Sequence, residues 1–206
     1  MVNVNRWKQI YYEPSSLTMD DIASKIVKFV KNPVEFFESD RSTHKEVVAV
    51  ATFLLRLEIA MFFLFRAMSL FFNPSAAYPS LMIALLAVVV IAAVGIVLAN
   101  YFARVVLFSL ATLLNSFVKI IAKHDDQEAA ERIAGYSMIA GLLVILPFKF
   151  FLVSVVFIAL SFLGVVKQYE LDYIKSAASV ALPAILVIGI IYVVRFGMNY
   201  LVDIIL

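Results

Sequence analysis

Hydrophobic residues fill several long runs of the chain, and clusters of polar residues separate these runs. The clearest run, 81–99, contains no charged residue. Nineteen residues of α-helix extend over about 28 Å, close to the ~30 Å hydrocarbon thickness of a bilayer. A second run covers 47–72, and an uncharged turn at 73–79 joins the two. The pattern therefore predicts an all-α, polytopic transmembrane protein whose first two spans lie in these runs.

Three further spans are predicted in the second half of the chain. The apolar run 133–166 has 34 residues and would be about 51 Å long as one helix, too long for a single crossing. Pro147 and Lys149 lie near its middle and predict a tight hairpin between two short spans, because proline interrupts the helical ladder and lysine must reach water or headgroups. A last span is predicted at 177–194, bent at Pro183.

Residues 105–122 decide between five and six spans. They are largely apolar, but polar side chains recur at steps of three and four, which indicates an amphipathic extension of the preceding helix. With five spans and a cytoplasmic N-terminus, 13 Lys and Arg residues lie inside and two outside, whereas a sixth span would give 10 and five. The positive-inside rule favours about five spans, with the C-terminus outside. The polar stripe consists of Ser109, Thr112, Ser116, Lys119 and Lys123.

Residues 1–46 form a polar segment that precedes the helical membrane domain, 47–206. This segment holds seven basic and seven acidic residues. Thr18 is placed to cap an amphipathic helix that Asn32 and Pro33 end, with apolar residues on one face. Two interpretations remain: a helix in the headgroup plane, or a solvated helix packed on the rest of the protein. The basic face consists of Lys25, Lys28 and Lys31.

Composition supports a membrane location and excludes several function classes. Hydrophobic residues make up 64% of the chain and charged residues 16%, against about 45–50% and about 25% in an average soluble domain. The chain has no cysteine, which excludes disulfides, thiolate metal sites and a cysteine nucleophile. Its net charge of +2 is too small to indicate a nucleic-acid partner.

Three ionisable residues, Arg56, Glu58 and Arg66, lie inside the first predicted span. A charge at the bilayer centre costs at least ~2.5–3.5 kcal/mol, so such residues mark candidate sites. Glu58 and Arg66 are eight residues apart, about 12 Å along a helix, and cannot pair directly. We expect contacts with another span, snorkelling toward a bilayer surface, a contact with another subunit, or an ion or substrate path.

Other sequence features predict no catalytic, cofactor or metal site, and thus no enzyme. The acidic stretch 124–128 and Glu131 match no calcium loop. His44 is interpreted as an ordinary surface residue. The sequence contains no glycine-rich phosphate loop and no Ser-His-Asp set.

Several short motifs resemble the Yip (Ypt-interacting protein) domain family, in its prokaryotic branch. They are an extended Pro-x-x-Phe-Phe start at 33–37, Gly-Tyr-Ser at 135–137, a span ending at Pro147, and Lys-Ser-Ala at 175–177 before a proline-containing span. The resemblance covers about 32–194 and implies five spans with a cytoplasmic N-terminus. Eukaryotic members are linked to small GTPases of vesicle traffic. The glycine pair that often ends the second element of that family is replaced here by residues 123–126.

The sequence leaves three functional hypotheses. The first is a non-catalytic scaffold or adaptor of Yip type that recruits or organises other membrane or peripheral proteins at the lipid bilayer. The second is an accessory subunit of a larger transporter, secretion or respiratory assembly. The third is a small channel or transporter, although no inverted repeat is detectable.

Overall fold

The computed structural model describes residues 17–72, 81–145 and 149–186, and within these ranges every regular element is helical. The predicted all-α fold is thereby confirmed. The elements are α1 (Met19–Lys31), α2 (Pro33–Ser39), α3 (His44–Phe72), α4 (Leu81–Ala122), α5 (Gln127–Ser137), a 3₁₀ segment (Met138–Ile145), α6 (Lys149–Gln168) and α7 (Tyr173–Leu186).

Three helices are long and apolar enough to cross a membrane, which supports the polytopic assignment. They are His44–Ser69 within α3, Leu85–Ala122 within α4 and Phe151–Gln168 within α6. The other two predicted spans correspond to shorter elements. The third predicted span in chain order begins in α5, and the last one begins in α7. Residues 187–194 of the last predicted span, and Pro147 of the predicted hairpin, lie outside the described residues.

The apolar stretch that follows residue 133 differs from the regular span that was predicted there. The α-helix ends at Ser137, and the chain continues as the 3₁₀ segment to Ile145. The two elements together are about 32 Å long, at about 1.5 and 2.0 Å per residue. The stretch is surrounded by protein, since α5 packs on α3, α4 and α6, and the 3₁₀ segment packs on α3 and α6.

Helix α4 runs without a break through 42 residues. A sixth span would need a turn between residues 99 and 105, so the six-span alternative is wrong. Apart from Ile120 near its end, the large hydrophobic side chains exposed on α4 reach only as far as Val106, and from Ser109 to Lys119 the exposed residues are polar. The apolar band at 82–106 is about 36 Å long, enough to cross the ~30 Å hydrocarbon layer. The predicted amphipathic extension is confirmed.

The N-terminal segment folds into α1 and α2 and packs on the bundle. Thr18 caps α1 through a reciprocal pair of hydrogen bonds with Asp21, and Asn32 ends the helix. The Pro-x-x-Phe-Phe motif was predicted to be extended, but it is the helix α2. Pro33 occupies the first helical turn, where it sacrifices no hydrogen bond, and the Asn32 side chain accepts from Glu35 N.

The tightest packing surrounds α5, in which every residue from Ala129 to Ser137 is buried. Two glycines permit this packing. A Cβ on Gly135 would collide with Val47 of α3, and a Cβ on Gly164 of α6 would lie 2.8 Å from Ile133 Cγ1. We call one end of the bundle the polar end; α1, α2, the starts of α3 and α5, and the ends of α4 and α6 meet there.

Candidate functional site at the polar end

A cluster of aromatic rings attaches α1 and α2 to the bundle. The Phe36 ring lies 4.6 Å from the Tyr136 ring, centre to centre, and the Phe29 ring lies 5.3 Å from Phe37 and 5.6 Å from Tyr136. All four side chains are buried. Two motifs that carry the Yip resemblance, at 33–37 and at 135–137, are therefore in direct contact.

A hydrogen-bonded network on Ser42 lies beside these rings. The Ser42 hydroxyl donates to Asp40 Oδ1 at 2.6 Å and lies 2.9 Å from the Tyr136 hydroxyl. A serine hydroxyl has one proton, so Tyr136 donates to Ser42. Lys25 Nζ donates to Ser42 Oγ at 2.7 Å and to Glu46 Oε1 at 3.0 Å. The network fixes α1 to the start of α3.

Gln168, at the end of α6, connects α2 and α5. Its Nε2 donates to the carbonyl oxygens of Phe37 and Asp40, and its Oε1 accepts from Arg132 Nε at 2.9 Å. Arg132 is only 8% exposed. The side-chain amide thus joins three helices through both of its polar atoms.

Asn115 joins the ends of α4 and α6 to the loop before α5. Its Nδ2 donates to Asp125 Oδ1 at 2.8 Å, and its Oδ1 accepts from the Tyr169 hydroxyl at 3.1 Å and from Asp126 N at 3.1 Å. Burial raises the pKa of Tyr169, so the phenol stays protonated. The hydrogen bonds from Lys119 and then Asn115 hold the pKa of Asp125 below its usual range.

The acidic stretch at the start of α5 therefore has a structural role. Asp126 caps α5 by accepting from Ala129 N at 2.9 Å. Glu131 is buried and pairs with His44, with 2.6 Å between Oε2 and Nδ1. The interpretation of His44 as an ordinary surface residue is wrong, because its ring is half-buried in this pair. Across the described ranges, no three His, Cys, Asp or Glu side chains are grouped as metal ligands.

The structure separates the three candidate residues of the first span. Arg56 is exposed, whereas Glu58 is half-buried and packs on the 3₁₀ segment, where a Cβ on Gly141 would overlap its carboxylate. Glu58 Oε1 is buried and has no hydrogen-bond partner in the part of the chain that the structure describes. The side chain of Arg66 lies outside the described part.

The three lysines of the predicted basic face of α1 also differ in their surroundings. Lys25 turns inward to Ser42 and Glu46, while Lys28 and Lys31 are exposed. On the opposite side Ile22 and Phe29 are buried against the bundle. Packing on the protein uses only part of the apolar arc of α1, and Met19, Val27 and Val30 remain 65%, 49% and 62% exposed.

The comparisons with known proteins add no family to this description. No protein-family model matches the chain, and no curated protein and no solved structure matches it. The functional argument thus depends on the arrangement of the polar end and of the first span.

Proposed function

We propose that the chain is a non-catalytic membrane scaffold of Yip type, whose polar end faces the cytoplasm and recruits partner proteins. The proposal is based on the two different sides of α1, one packed on the bundle and the other exposed. Its inner side is fixed to the bundle by the aromatic cluster and by the Lys25 ion pair. Its outer side presents apolar and basic side chains on a helix whose position is fixed.

The exposed side chains define the chemistry of the partner. Met19, Val27 and Val30 form an apolar strip, and Lys28 and Lys31 lie beside it. An amphipathic segment with apolar anchors and acidic neighbours would match both, because apolar burial supplies affinity and opposite charge favours encounter.

Photo-crosslinking in native membranes tests the proposal. A benzophenone amino acid at Val30 is expected to form a discrete adduct with another protein. Changing Lys28 and Lys31 together to Glu should reduce that adduct about tenfold or more, because attraction to an acidic partner becomes repulsion. A benzophenone at Val97, which is 74% exposed on the apolar part of α4, is the matched control and should label lipid only.

The alternative of an accessory subunit rests on the first span. Arg56 is exposed on a helix apolar enough to cross the membrane, and it forms no ion pair with the residues that the structure describes. A carboxylate on another membrane protein would stabilise it there. Protein adducts at neighbouring Ala60, with none at Val30, would favour this alternative. Lipid adducts alone at both positions would contradict both proposals.

A further inference from the structure

A cavity of about 670 Å³ opens at the polar end, between α2, the start of α5 and the end of α6. Three cationic side chains, Arg41, Arg132 and Lys167, line it. Lys167 is already engaged, since its Nζ lies 2.6 Å from Glu38 Oε1. Arg41 Nη1 donates to the backbone carbonyl oxygens of Asp40 and Glu38 at 3.0 and 3.3 Å, which leaves the charge of its guanidinium group without a carboxylate partner among the described residues. The cationic groups that remain for an anion are therefore those of Arg41 and Arg132.

Arg132 is the central feature of this cavity. It is only 8% exposed, and its Nε is used by Gln168. Its two terminal nitrogens have no hydrogen-bond partner among the residues that the structure describes, yet the side chain borders the cavity. A buried guanidinium with free donors facing a cavity is suited to an oxyanion, which accepts two parallel hydrogen bonds from one arginine.

The acidic residues that line the cavity do not form ion pairs with the two arginines in the described part of the chain. Glu38 is paired with Lys167, and Asp126 Oδ1 caps α5. Glu170 is exposed and lies at the edge of the cavity. An anion can thus meet both arginines, and a ligand that also carries an amine could reach Glu170.

The depth of the cavity indicates where such an anion is found. The exposed face of α4 becomes polar at Ser109, and Asn115, six residues further, contacts Tyr169 next to the cavity. Six residues of helix are about 9 Å. Headgroups occupy about 5–8 Å on each side of the hydrocarbon layer, so the cavity lies at the outer edge of the headgroup layer, within reach of lipid phosphates and of phosphate in solution.

We infer that this cavity is a phosphate-binding site in which Arg132 and Arg41 hold the phosphate group of a phospholipid headgroup or of a free phosphate. This inference is independent of the proposed scaffold function, because it concerns a different surface. Lipid held at this point would connect α2 to the end of α6 at the membrane surface.

Thermal unfolding of the full chain in a phosphate-free detergent tests the inference. Phosphatidylethanolamine, compared with diacylglycerol, and sodium phosphate, compared with chloride at equal ionic strength, are added separately. A rise in Tm with phosphatidylethanolamine, alone or together with a rise with phosphate, identifies the ligand as the phosphate of a lipid. A rise in Tm with inorganic phosphate alone identifies the ligand as a soluble phosphate. Both outcomes support a phosphate site, and no rise with either probe overturns it.

Variants locate the binding within the cavity. Arg41→Gln changes an exposed residue and should fold normally, and we expect it to weaken binding of the active probe about tenfold, the usual effect of losing one charge-assisted hydrogen bond. Arg132→Lys keeps the charge but loses the paired donors, and should weaken binding at least as much. Lys175→Gln makes the same charge change as Arg41→Gln at an exposed position of α7, and should bind like the parent. Unchanged binding in both arginine variants, or equal loss in Lys175→Gln, would contradict the site.

Discussion

Gly135→Ala is expected to lower the free energy of unfolding by about 1–3 kcal/mol, the usual cost of overpacking a core. The added methyl group would collide with Val47 on α3 and contact Leu107 on α4. Both neighbours are almost fully buried and have no room to withdraw. The change can be measured by titration with SDS in mixed micelles.

Gly95→Ala is the matched control for this prediction. Gly95 also lies within a helix facing α3, but the nearest atom to its Cβ is the Cγ2 methyl group of Ile59, at 3.2 Å, so the neighbour needs to move by only a few tenths of an ångström. Alanine also favours a helix by up to ~1 kcal/mol over glycine. The Gly95 variant should therefore be as stable as the parent or slightly more stable. Equal stability of the two alanine variants would show that α5 is not packed as described.

Glu58→Leu is expected to raise the free energy of unfolding of the isolated protein in detergent by about 1–3 kcal/mol. This is the usual cost of a buried polar group without a partner, and Glu58 Oε1 is such a group among the described residues. Leucine fills a similar space against Gly141 and suits an apolar span better. Thermal unfolding of the purified protein measures the change.

Glu58→Gln separates polarity from charge. Glutamine keeps the shape and still places a polar atom in the same position, so its stability should remain near that of the parent. A leucine variant less stable than both would mean that the carboxyl makes a favourable contact within the chain, and the expectation would be wrong. If leucine stabilises the isolated chain but reduces recovery of a co-purifying protein, Glu58 is retained for that contact.

Local patterns predicted the helical part of the fold well. The uncharged run 81–99, the polar stripe from Ser109 to Lys119 and the Thr18 cap each depend on residues within a few turns of each other. The spacing of hydrophobic and polar residues along the sequence shows these short-range relations directly. Helix α2 was missed because the extended start was inferred from the family resemblance, whereas the Asn32 cap and Pro33 in the first turn permit a short helix.

The polar end could not be predicted in the same way. Gln168 meets Phe37 across 131 positions, Ser42 meets Tyr136 across 94, and Tyr169 meets Asn115 across 54. Asn115 and Gln168 carry no motif, and their partners are set by how the helices pack. Similarly, the 3₁₀ segment has the same apolar composition as a regular span, so hydropathy cannot distinguish the two.

The central claim is a multi-span membrane protein whose polar end faces the cytoplasm, and cysteine accessibility tests it most directly. The chain has no natural cysteine, so two substitutions each give a single reactive site. Ser75→Cys lies in the predicted turn at 73–79, which is outside the described residues, and Ser116→Cys lies on the exposed polar face of α4. In intact cells, an impermeant maleimide should label the Ser75 variant, and it should label the Ser116 variant only after the membrane is opened. Labelling of both variants from the same side of an intact membrane would contradict the account.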